Sequence, residues 1–400
     1  MDITRADPPP RLLDLTRLVS RAGRPFTGID RVEYAYLRQL LRTGPLCGLV
    51  RSSLGYLLLD QRGCAELKRR IDGGDWPAPD LLARLRKLDP GRAGAERALR
   101  SVAVGRCLPR GLGAMLSTHL PADTHYLNTG HTNLTDCTVA ALRDVRGCRI
   151  AVLLHDTLPL DVPEHQRPGI PERFAGFLSR VGRHADLVIC NSKQTERDLR
   201  RHLSDSAAQS VVAHLGVDLP VPTSPPDGPW TGRPYFVALG TIEPRKNHAL
   251  LLDIWEQEQP AADLLICGSR GWNNDAVFAR LDAGIAGVHE LPGLDDGQVA
   301  ALLKGSAGLL FPSLAEGYGL PPLEAAGLGV PVLASNLSVL REGLGDIPVY
   351  APVTERYLWT QLIRAMAEDH RAGRGVAPNA AAAFAPPSWD AHFKTVLTLI

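Results

Sequence analysis

Two glutamates stand eight positions apart in AEGYGLPPLEAAGLGVP, a stretch rich in glycine and proline with no basic residue. Glu316 precedes a glycine loop, where missing side chains let a ligand approach the backbone N–H groups closely. Pro321 and Pro322 fit the first turn of the following helix, and we expect Glu324 in that turn, where the helix dipole favours a carboxylate. Both carboxylates can instead accept hydrogen bonds from ligand hydroxyls, as in sugar sites. The helix N-terminus also offers a place for a phosphate.

A second stretch, ALGTIEPRKNH, sets Arg245 and Lys246 between a glycine turn and a helix that Asn247 is positioned to cap. Backbone N–H groups at a helix N-terminus with cations beside them make an anion site. Arginine can grip a phosphate through two hydrogen bonds, whereas lysine acts as a point charge. A solvated Arg-Lys pair in a turn is the open alternative. Neither a P-loop nor a dinucleotide fingerprint occurs in this stretch.

A third candidate is His155-Asp156, which ends the apolar run CRIAVLLHD. A histidine at a strand end facing a cleft can donate to a sugar hydroxyl or carry a proton, and a buried structural histidine is the open alternative. No G-x-S-x-G motif supplies the serine of a hydrolase triad. His119, His125 and His131 lack the spacing and the carboxylate partner of a helical zinc site, so we expect no metal.

The elements that would position these residues follow an α/β pattern. LLDLTRLVS predicts a short strand leading into a loop, and Thr27-Gly28 predicts a turn before a helix that Asp30 could cap. CRIAVLLHD and DLVICNS then predict buried strands separated by amphipathic helices. Apolar strands alternating with helices indicate a parallel sheet with helices on both faces.

The same alternation restarts after residues 219–234, which are rich in Pro, Gly, Ser and Thr and predict a linker. We therefore predict two doubly wound, Rossmann-like domains in tandem, at residues 1–218 and 235–387, with a helix at 388–400. Ligands bind beyond the carboxyl ends of such strands, so the two domains should face a central cleft. The candidates at these ends are Gly28, His155-Asp156, Asn191, Gly240 to Lys246, Gly268-Ser269 and the Glu316 loop.

The composition excludes several classes of protein. A chain of 400 residues predicts two domains, and 44 Lys+Arg against 43 Asp+Glu leave no net charge that would attract nucleic acid. Seven cysteines without a C-x-x-C pair suit reduced thiols in a cytoplasmic protein. The N-terminal MDITRADPPP predicts no signal peptide, and no apolar run is long enough to span a membrane.

The basic residues are concentrated between Arg84 and Arg110, where eight of them accompany only Asp89 and Glu96. A solvated helical face is the simpler interpretation of this segment. The alternative is a docking surface for anionic lipid head groups or for an anionic acceptor.

EGYGLPPLE, with GTIEPRKNH about 70 residues before it, resembles glycosyltransferase family 4, the retaining nucleotide-sugar enzymes of the GT-B fold. HDTLPLDVPEHQRP, DLVICNSKQTERDL and TGIDRVE extend the resemblance over nearly the whole chain, apart from roughly residues 44–120. The variant EPRKN is similar to that of bacterial polysaccharide mannosyltransferases, which favours GDP-mannose as the donor. The resemblance implies no cofactor and no metal.

The family implies a role for each matching position. Lys246 would hold the donor diphosphate with help from Arg245, and Gly28 would let the N-terminal loop approach it. Glu324 would bind the ribose, and His155 would lie against the donor sugar near the reacting carbon. The donor sugar would be held by Glu316 and by the backbone of Gly317, Tyr318, Gly319 and Leu320. The segment 388–400 would cross back to the N-terminal domain.

One position departs from the family pattern. Thr241 follows Gly240 where many members have an arginine, so either Arg245 compensates or the diphosphate is bound differently in detail.

The implied reaction passes through an oxocarbenium-like state while negative charge grows on the leaving diphosphate, which nearby cations stabilise. Retention without a protein nucleophile implies attack on the same face, with the diphosphate accepting the acceptor's proton. We expect transfer of a hexose, mannose by preference, to a glycan or lipid-linked acceptor in surface polysaccharide synthesis, in the cytoplasm or at the inner membrane face. The alternatives are a GT-B nucleotide-sugar epimerase and a non-catalytic sugar-nucleotide or glycan-binding protein.

Overall fold

The computed structural model describes residues 8–79, 87–204, 207–374 and 384–400. Within these ranges the chain forms two sheets, each covered by helices, as the alternation of strands and helices predicts. Arg84 and Arg86 of the basic segment lie outside the described residues.

The N-terminal sheet is built around β1 and has the order β4-β3-β2-β1-β5-β6-β7-β8. Its strands are β1 Arg11–Asp14, β2 Leu46–Ser52, β3 Gly55–Leu59, β4 Gly105–Cys107, β5 His125–Asn128, β6 Arg149–Leu154, β7 Leu187–Cys190 and β8 Gln209–Val212. The pairs from β2 through β1 to β8 are parallel. β3 and β4 extend one edge antiparallel, in the region that the sequence pattern left unassigned.

The N-terminal helices cover both faces of this sheet. They are α1 Thr16–Ser20, α2 Gly28–Thr43, α3 Gln61–Gly73, α4 Pro90–Val102, α5 Leu112–His119, α6 Asp136–Arg143, α7 Leu158–Asp161, α8 Ile170–His184 and α9 Lys193–His202. The expected loop after β1 is thus partly the short helix α1.

The cap of α2 differs from the prediction by three positions. Thr27, not Asp30, is the N-cap, and its side chain accepts a hydrogen bond from the Asp30 N–H. Asp30 instead accepts from the Thr27 N–H at 2.8 Å, which completes a capping box. A carboxylate three residues after a threonine is the usual form of this motif, so the sequence contained the correct assignment.

The C-terminal sheet is parallel throughout and has the order β11-β10-β9-β12-β13-β14. Its strands are β9 Tyr235–Leu239, β10 Asp263–Cys267, β11 Val288–Glu290, β12 Gly308–Phe311, β13 Val332–Ser335 and β14 Val349–Ala351. The chain reverses direction across the sheet between β9 and β12. In an open α/β sheet this reversal opens a crevice at the carboxyl ends of the two strands.

The C-terminal helices are α10 His248–Glu258, α11 Asp275–Ala283, α12 Asp296–Gly305, α13 Leu320–Gly327, α14 Ser338–Leu344 and α15 Arg356–Arg371. Pro321 and Pro322 lie in the first turn of α13 as predicted, and Gly319 before it has the left-handed φ of 93° that favours glycine. Glu324 is the fifth residue of α13, so its predicted position in the first turn is wrong. The helix dipole therefore does not account for this carboxylate.

The last helix, α16 Trp389–Val396, packs on the N-terminal core. Phe393 and Val396 are buried together with Leu13 and Tyr36, and the Tyr36 hydroxyl lies 2.8 Å from His392 Nε2. The chain therefore crosses between the domains a second time, as the family resemblance implies.

Candidate active site

The loops after β9 and β12 meet at the crevice of the C-terminal sheet, and they join Glu316 to two cations. Lys246 Nζ lies 2.6 Å from Glu316 Oε1, and Arg245 Nη1 lies 2.8 Å from Glu316 Oε2. Arg245 also contacts Glu243 at 2.6 Å and donates to the Ala315 carbonyl at 2.7 Å. Residues 70 positions apart in sequence thus form one ion cluster at the point where such sheets bind ligands.

Ionisation of this cluster is set by burial and by charge. Burial opposes ionisation of Glu316, but the attraction of Arg245 and Lys246 outweighs it and lowers the pKa of Glu316 to about 2. The Glu316 carboxylate is therefore ionised at neutral pH, and each of its oxygens contacts a cation. The sequence predicted Glu316 on the donor sugar and Lys246 on the diphosphate, whereas here the two side chains bind each other.

The turn before α10 differs from the expected cap. Pro244–Lys246 forms a 3-10 turn, and Asn247 after it has a φ of 53° with no side-chain cap hydrogen bond. The predicted capping role of Asn247 is therefore wrong. Thr241 lies exposed on the loop after β9. Lys246, on the same loop, also packs on an aromatic ring, with its Nζ 4.5 Å from the centre of the Phe311 ring.

His155 lies across the crevice, at the end of β6 in the N-terminal domain. Its Nε2 is 2.7 Å from the Thr129 carbonyl oxygen, and because a carbonyl only accepts, Nε2 carries the proton. Burial lowers the pKa of His155 to about 4, so the ring is neutral at pH 7. Nδ1 is then an acceptor, which disfavours His155 as a donor to a sugar hydroxyl or as a proton carrier at neutral pH.

Asp156 faces the glycine loop. The sequence pattern identifies it only as the neighbour of His155 and predicts no function for its side chain. A Cβ added to Gly317 would lie 2.7 Å from Asp156 Cβ and 2.8 Å from the His155 carbonyl oxygen, so only glycine fits this approach. Thr195 Oγ1 donates to the Gly317 carbonyl at 3.4 Å, and Asn191 Nδ2 donates to the His155 carbonyl at 2.7 Å. The ends of β6 and β7 thus contact the Glu316 loop directly.

Glu324 is joined to the N-terminal domain by an arginine that sequence reasoning missed. Arg31 Nη1 lies 2.9 Å from Glu324 Oε1, and the same guanidinium contacts Asp296. Burial raises the pKa of Glu324 to about 7, although Arg31 opposes the rise. Arg31 follows Gly28 by three positions in TGIDRVE, and Gly28 lies against the Leu320 side chain at the start of α13.

The described ranges contain no group of three or more His, Cys, Asp or Glu side chains that could hold a metal ion. Over the same ranges, every helix is too short or too polar to cross a bilayer.

Two family models match the chain. One described as Glycosyl transferases group 1 matches residues 223–348, and one described as Glycosyltransferase Family 4 matches residues 115–220. The first match contains the Arg245-Lys246-Glu316 cluster and Glu324, and the second contains His155-Asp156.

Curated relatives from Escherichia coli are similar to about half of the chain. The serotype-specific mannosyltransferase WbdA is 32% identical over 236 residues, 53% of this chain and 28% of its own length. The O-antigen chain mannosyltransferase B is 34% identical over 219 residues, 51% of this chain and 57% of its own length. The matched region thus spans between about a quarter and just over half of these relatives.

Solved structures share the fold over nearly the whole chain. Anabaena HepE in complex with UDP-glucose has a TM-score of 0.62 at 15% identity, over 97% of this chain and 96% of that one. Sucrose-phosphate synthase from Thermosynechococcus elongatus has a TM-score of 0.63 at 16% identity, over 98% and 96% of the two chains. The predicted two-domain α/β architecture is confirmed.

Proposed function

Because the chain belongs to the family 4 glycosyltransferases, we propose that it transfers a hexose from a nucleoside-diphosphate sugar to a glycan or lipid-linked acceptor. The observation that carries the proposal is the cluster of Arg245, Lys246 and Glu316 at the crevice between β9 and β12. Negative charge grows on the diphosphate as the glycosidic bond breaks. Two cations held in advance, beside a helix N-terminus, stabilise that charge without reorganisation.

Glu316 serves this chemistry indirectly in our proposal. Two cations side by side repel each other, and the carboxylates of Glu316, bonded to both, and of Glu243, bonded to Arg245, keep them close and oriented. The same pairing draws Glu316 away from the donor sugar. The reaction retains configuration by attack on the same face, and the departing diphosphate accepts the acceptor's proton. No step needs a metal or a protein nucleophile.

We propose mannose as the hexose and GDP-mannose as the donor, because the similar Escherichia coli proteins are mannosyltransferases. Their names also favour transfer to an acceptor over epimerisation or binding without turnover. The acceptor is then a glycan of a surface polysaccharide.

A thermal-shift panel tests the donor. GDP-mannose should raise the melting temperature more than UDP-glucose or dTDP-glucose does, since a ligand that binds the native state stabilises it. Mass spectrometry after incubation with GDP-mannose and an oligomannoside should then detect the acceptor lengthened by one hexose. A larger shift with another donor would refute mannose from GDP-mannose. An epimerised sugar without acceptor would refute transfer.

We also propose that the protein contacts the inner membrane face through the edge of the N-terminal sheet. Exposed residues alternate along β4 and its flanks, and they are Val104, Arg106, Leu108 and Arg110. By contrast, Arg92 pairs with the buried Glu96 in α4. Apolar and cationic side chains in one row favour an anionic lipid surface.

Vesicle sedimentation tests this contact. The double variant Arg106→Glu with Arg110→Glu should lose binding to vesicles containing phosphatidylglycerol. The double variant Arg364→Glu with Arg371→Glu, on α15 in the other domain, should bind these vesicles as the wild type does. If both double variants bound the vesicles equally, the edge of the N-terminal sheet would be excluded as the membrane contact.

A further inference from the structure

Asp156 holds the one carboxylate oxygen facing the Gly317 loop that accepts no hydrogen bond from the described part of the chain. Its Oδ1 accepts from the Leu158 N–H at 3.1 Å. Its Oδ2 would lie 2.9 Å from a Cβ at Gly317, so it points at the loop backbone. The residue is partly exposed and therefore accessible to a ligand in the crevice.

Glu316, which directly precedes Gly317, lies in a different environment. Both of its oxygens are bonded to cations, at 2.6 Å and 2.8 Å. A hydroxyl could bind there only by weakening a buried ion pair, which is costly. Among the described carboxylates at this loop, the oxygen that remains available as an acceptor is Asp156 Oδ2.

We infer that Asp156 is a specificity-determining residue that accepts a hydrogen bond from a hydroxyl of the donor hexose. The inference rests on the proposed function, because it takes the Gly317 loop as the sugar subsite. It differs from the role implied for Glu316, since it moves hydroxyl recognition from the C-terminal domain to the N-terminal domain. Donor sugar binding would then require both domains.

The chemistry of the pair fits this assignment. A hydroxyl donates to a carboxylate in a charge-assisted hydrogen bond, which is stronger than one between neutral groups. A partly desolvated carboxylate oxygen without a partner is unfavourable, so a sugar hydroxyl would satisfy it. No bond is made or broken at Asp156, and it acts by orienting the ring.

Asp156→Asn isolates this oxygen. The variant keeps an oxygen acceptor for the Leu158 N–H and removes the negative charge. The readout is the Kd of GDP divided by the Kd of GDP-mannose, both measured by calorimetry. This ratio isolates the contribution of the sugar to binding. The ratio should fall about ten- to a hundredfold in the variant, the range for a hydrogen bond to a charged group, while GDP binding stays unchanged.

Asp161→Asn is the matched control. Asp161 ends α7, also contributes to the field at Asp156, and binds Arg201 and His202 on α9 rather than facing the Gly317 loop. Its variant should keep the wild-type ratio. If the ratio fell equally in both variants, the effect would come from negative charge near the site and not from a contact between Asp156 and the sugar. That result would overturn the inference.

A pH series supplies a second readout. Burial raises the pKa of Asp156 to about 6, Arg245 opposes the rise, and Glu316 and Asp161 add to it. The ionised form is the better acceptor, so the wild-type ratio should fall as pH drops from 7.5 to 5. In Asp156→Asn the ratio should be small at every pH. Titration of Glu324 in this range acts on both ligands through the shared ribose and cancels in the ratio.

Three further outcomes would overturn the inference. The wild-type ratio retained in Asp156→Asn would exclude the sugar contact, and equal weakening of GDP and GDP-mannose would reduce Asp156 to a structural role. In both cases the proposed glycosyltransferase function would stand. Failure of the wild-type protein to bind GDP, GDP-mannose, UDP or UDP-glucose would remove the proposed function, and this inference with it.

Discussion

Arg31 on α2 and Glu324 on α13 join the two domains through an ion pair of 2.9 Å between Nη1 and Oε1. Asp296 at the start of α12 accepts from the same guanidinium. Glu324 is also the position to which the family resemblance assigns the ribose. If the ribose binds there, its hydroxyls and Arg31 would compete for one carboxylate, and donor binding would displace the arginine from Oε1.

Arg31→Met should strengthen GDP binding about two- to fivefold, because the ribose no longer displaces a partly exposed ion pair worth about 1 kcal/mol or less. Isothermal titration calorimetry at pH 9 measures the change, because loss of Arg31 removes the charge that opposes the rise in the Glu324 pKa. Arg38→Met is the control, since Arg38 lies on the same helix but pairs with Asp218. Weaker GDP binding in Arg31→Met would mean that the arginine contacts the nucleotide instead.

Lys246→Met should lower kcat about a hundred- to a thousandfold, the usual cost of removing one group that stabilises developing charge. The transfer assay with GDP-mannose measures it. Lys304→Met, at an exposed position on α12, is the control and should keep wild-type turnover. A rise in KM alone, with kcat unchanged, would contradict a role for Lys246 in the transition state.

Glu316→Gln should unfold at lower urea concentration than the wild type, with a loss of about 3–5 kcal/mol, because two buried cations lose their shared partner. Glu316 side-chain exposure is 7%, so solvent screens this pair little. Glu290→Gln is the control: Glu290 pairs with the exposed Arg270, and its loss should cost less than about 1 kcal/mol. Equal stability of the two variants would refute the cluster's structural role.

His392 should make the protein acid-sensitive. Burial lowers its pKa to about 4, so the folded state holds the neutral ring while the unfolded chain takes up a proton below pH 6.5. Stability is thus complete above pH 6.5 and is lost as pH falls toward 4, by about 3 kcal/mol in total.

The comparison of wild type with His392→Asn isolates this group, because other titrations cancel in the difference. The wild type should lose about 3 kcal/mol relative to the variant between pH 7.5 and pH 4. His119→Asn, at an exposed position, should leave the difference near zero. A pH-independent difference for His392→Asn would mean that His392 has the same pKa in the folded and the unfolded protein.

Local pattern was sufficient for most of the C-terminal domain. Strands and helices alternate from β9 to α15, as the pattern after residues 219–234 predicts. The two loops that carry Lys246 and Glu316 were identified from glycine, proline and charge alone. Parallel strands with helical crossovers repeat one local rule, so each segment could be assigned independently.

Contacts between distant segments were beyond that reasoning. Arg31 and Glu324 are 293 positions apart, and nothing near either residue indicates the other. The pairing of Glu316 with Arg245 and Lys246 likewise depends on which strands are neighbours in the sheet. The antiparallel edge of β3 and β4 was missed because strands of 5 and 3 residues carry little periodicity. Local reasoning therefore identified candidate residues but not which of them bind each other.

The position of α16 has a consequence for synthesis on the ribosome. Phe393, Val396 and Ile400 belong to the same core as Leu13 and Tyr36, nearly 400 residues earlier. The face of the N-terminal core that α16 covers is therefore completed only when this last helix has been translated. Until then the apolar side chains under α16 stay exposed to solvent, and a chain that ends before α16 should be cleaved faster by proteases.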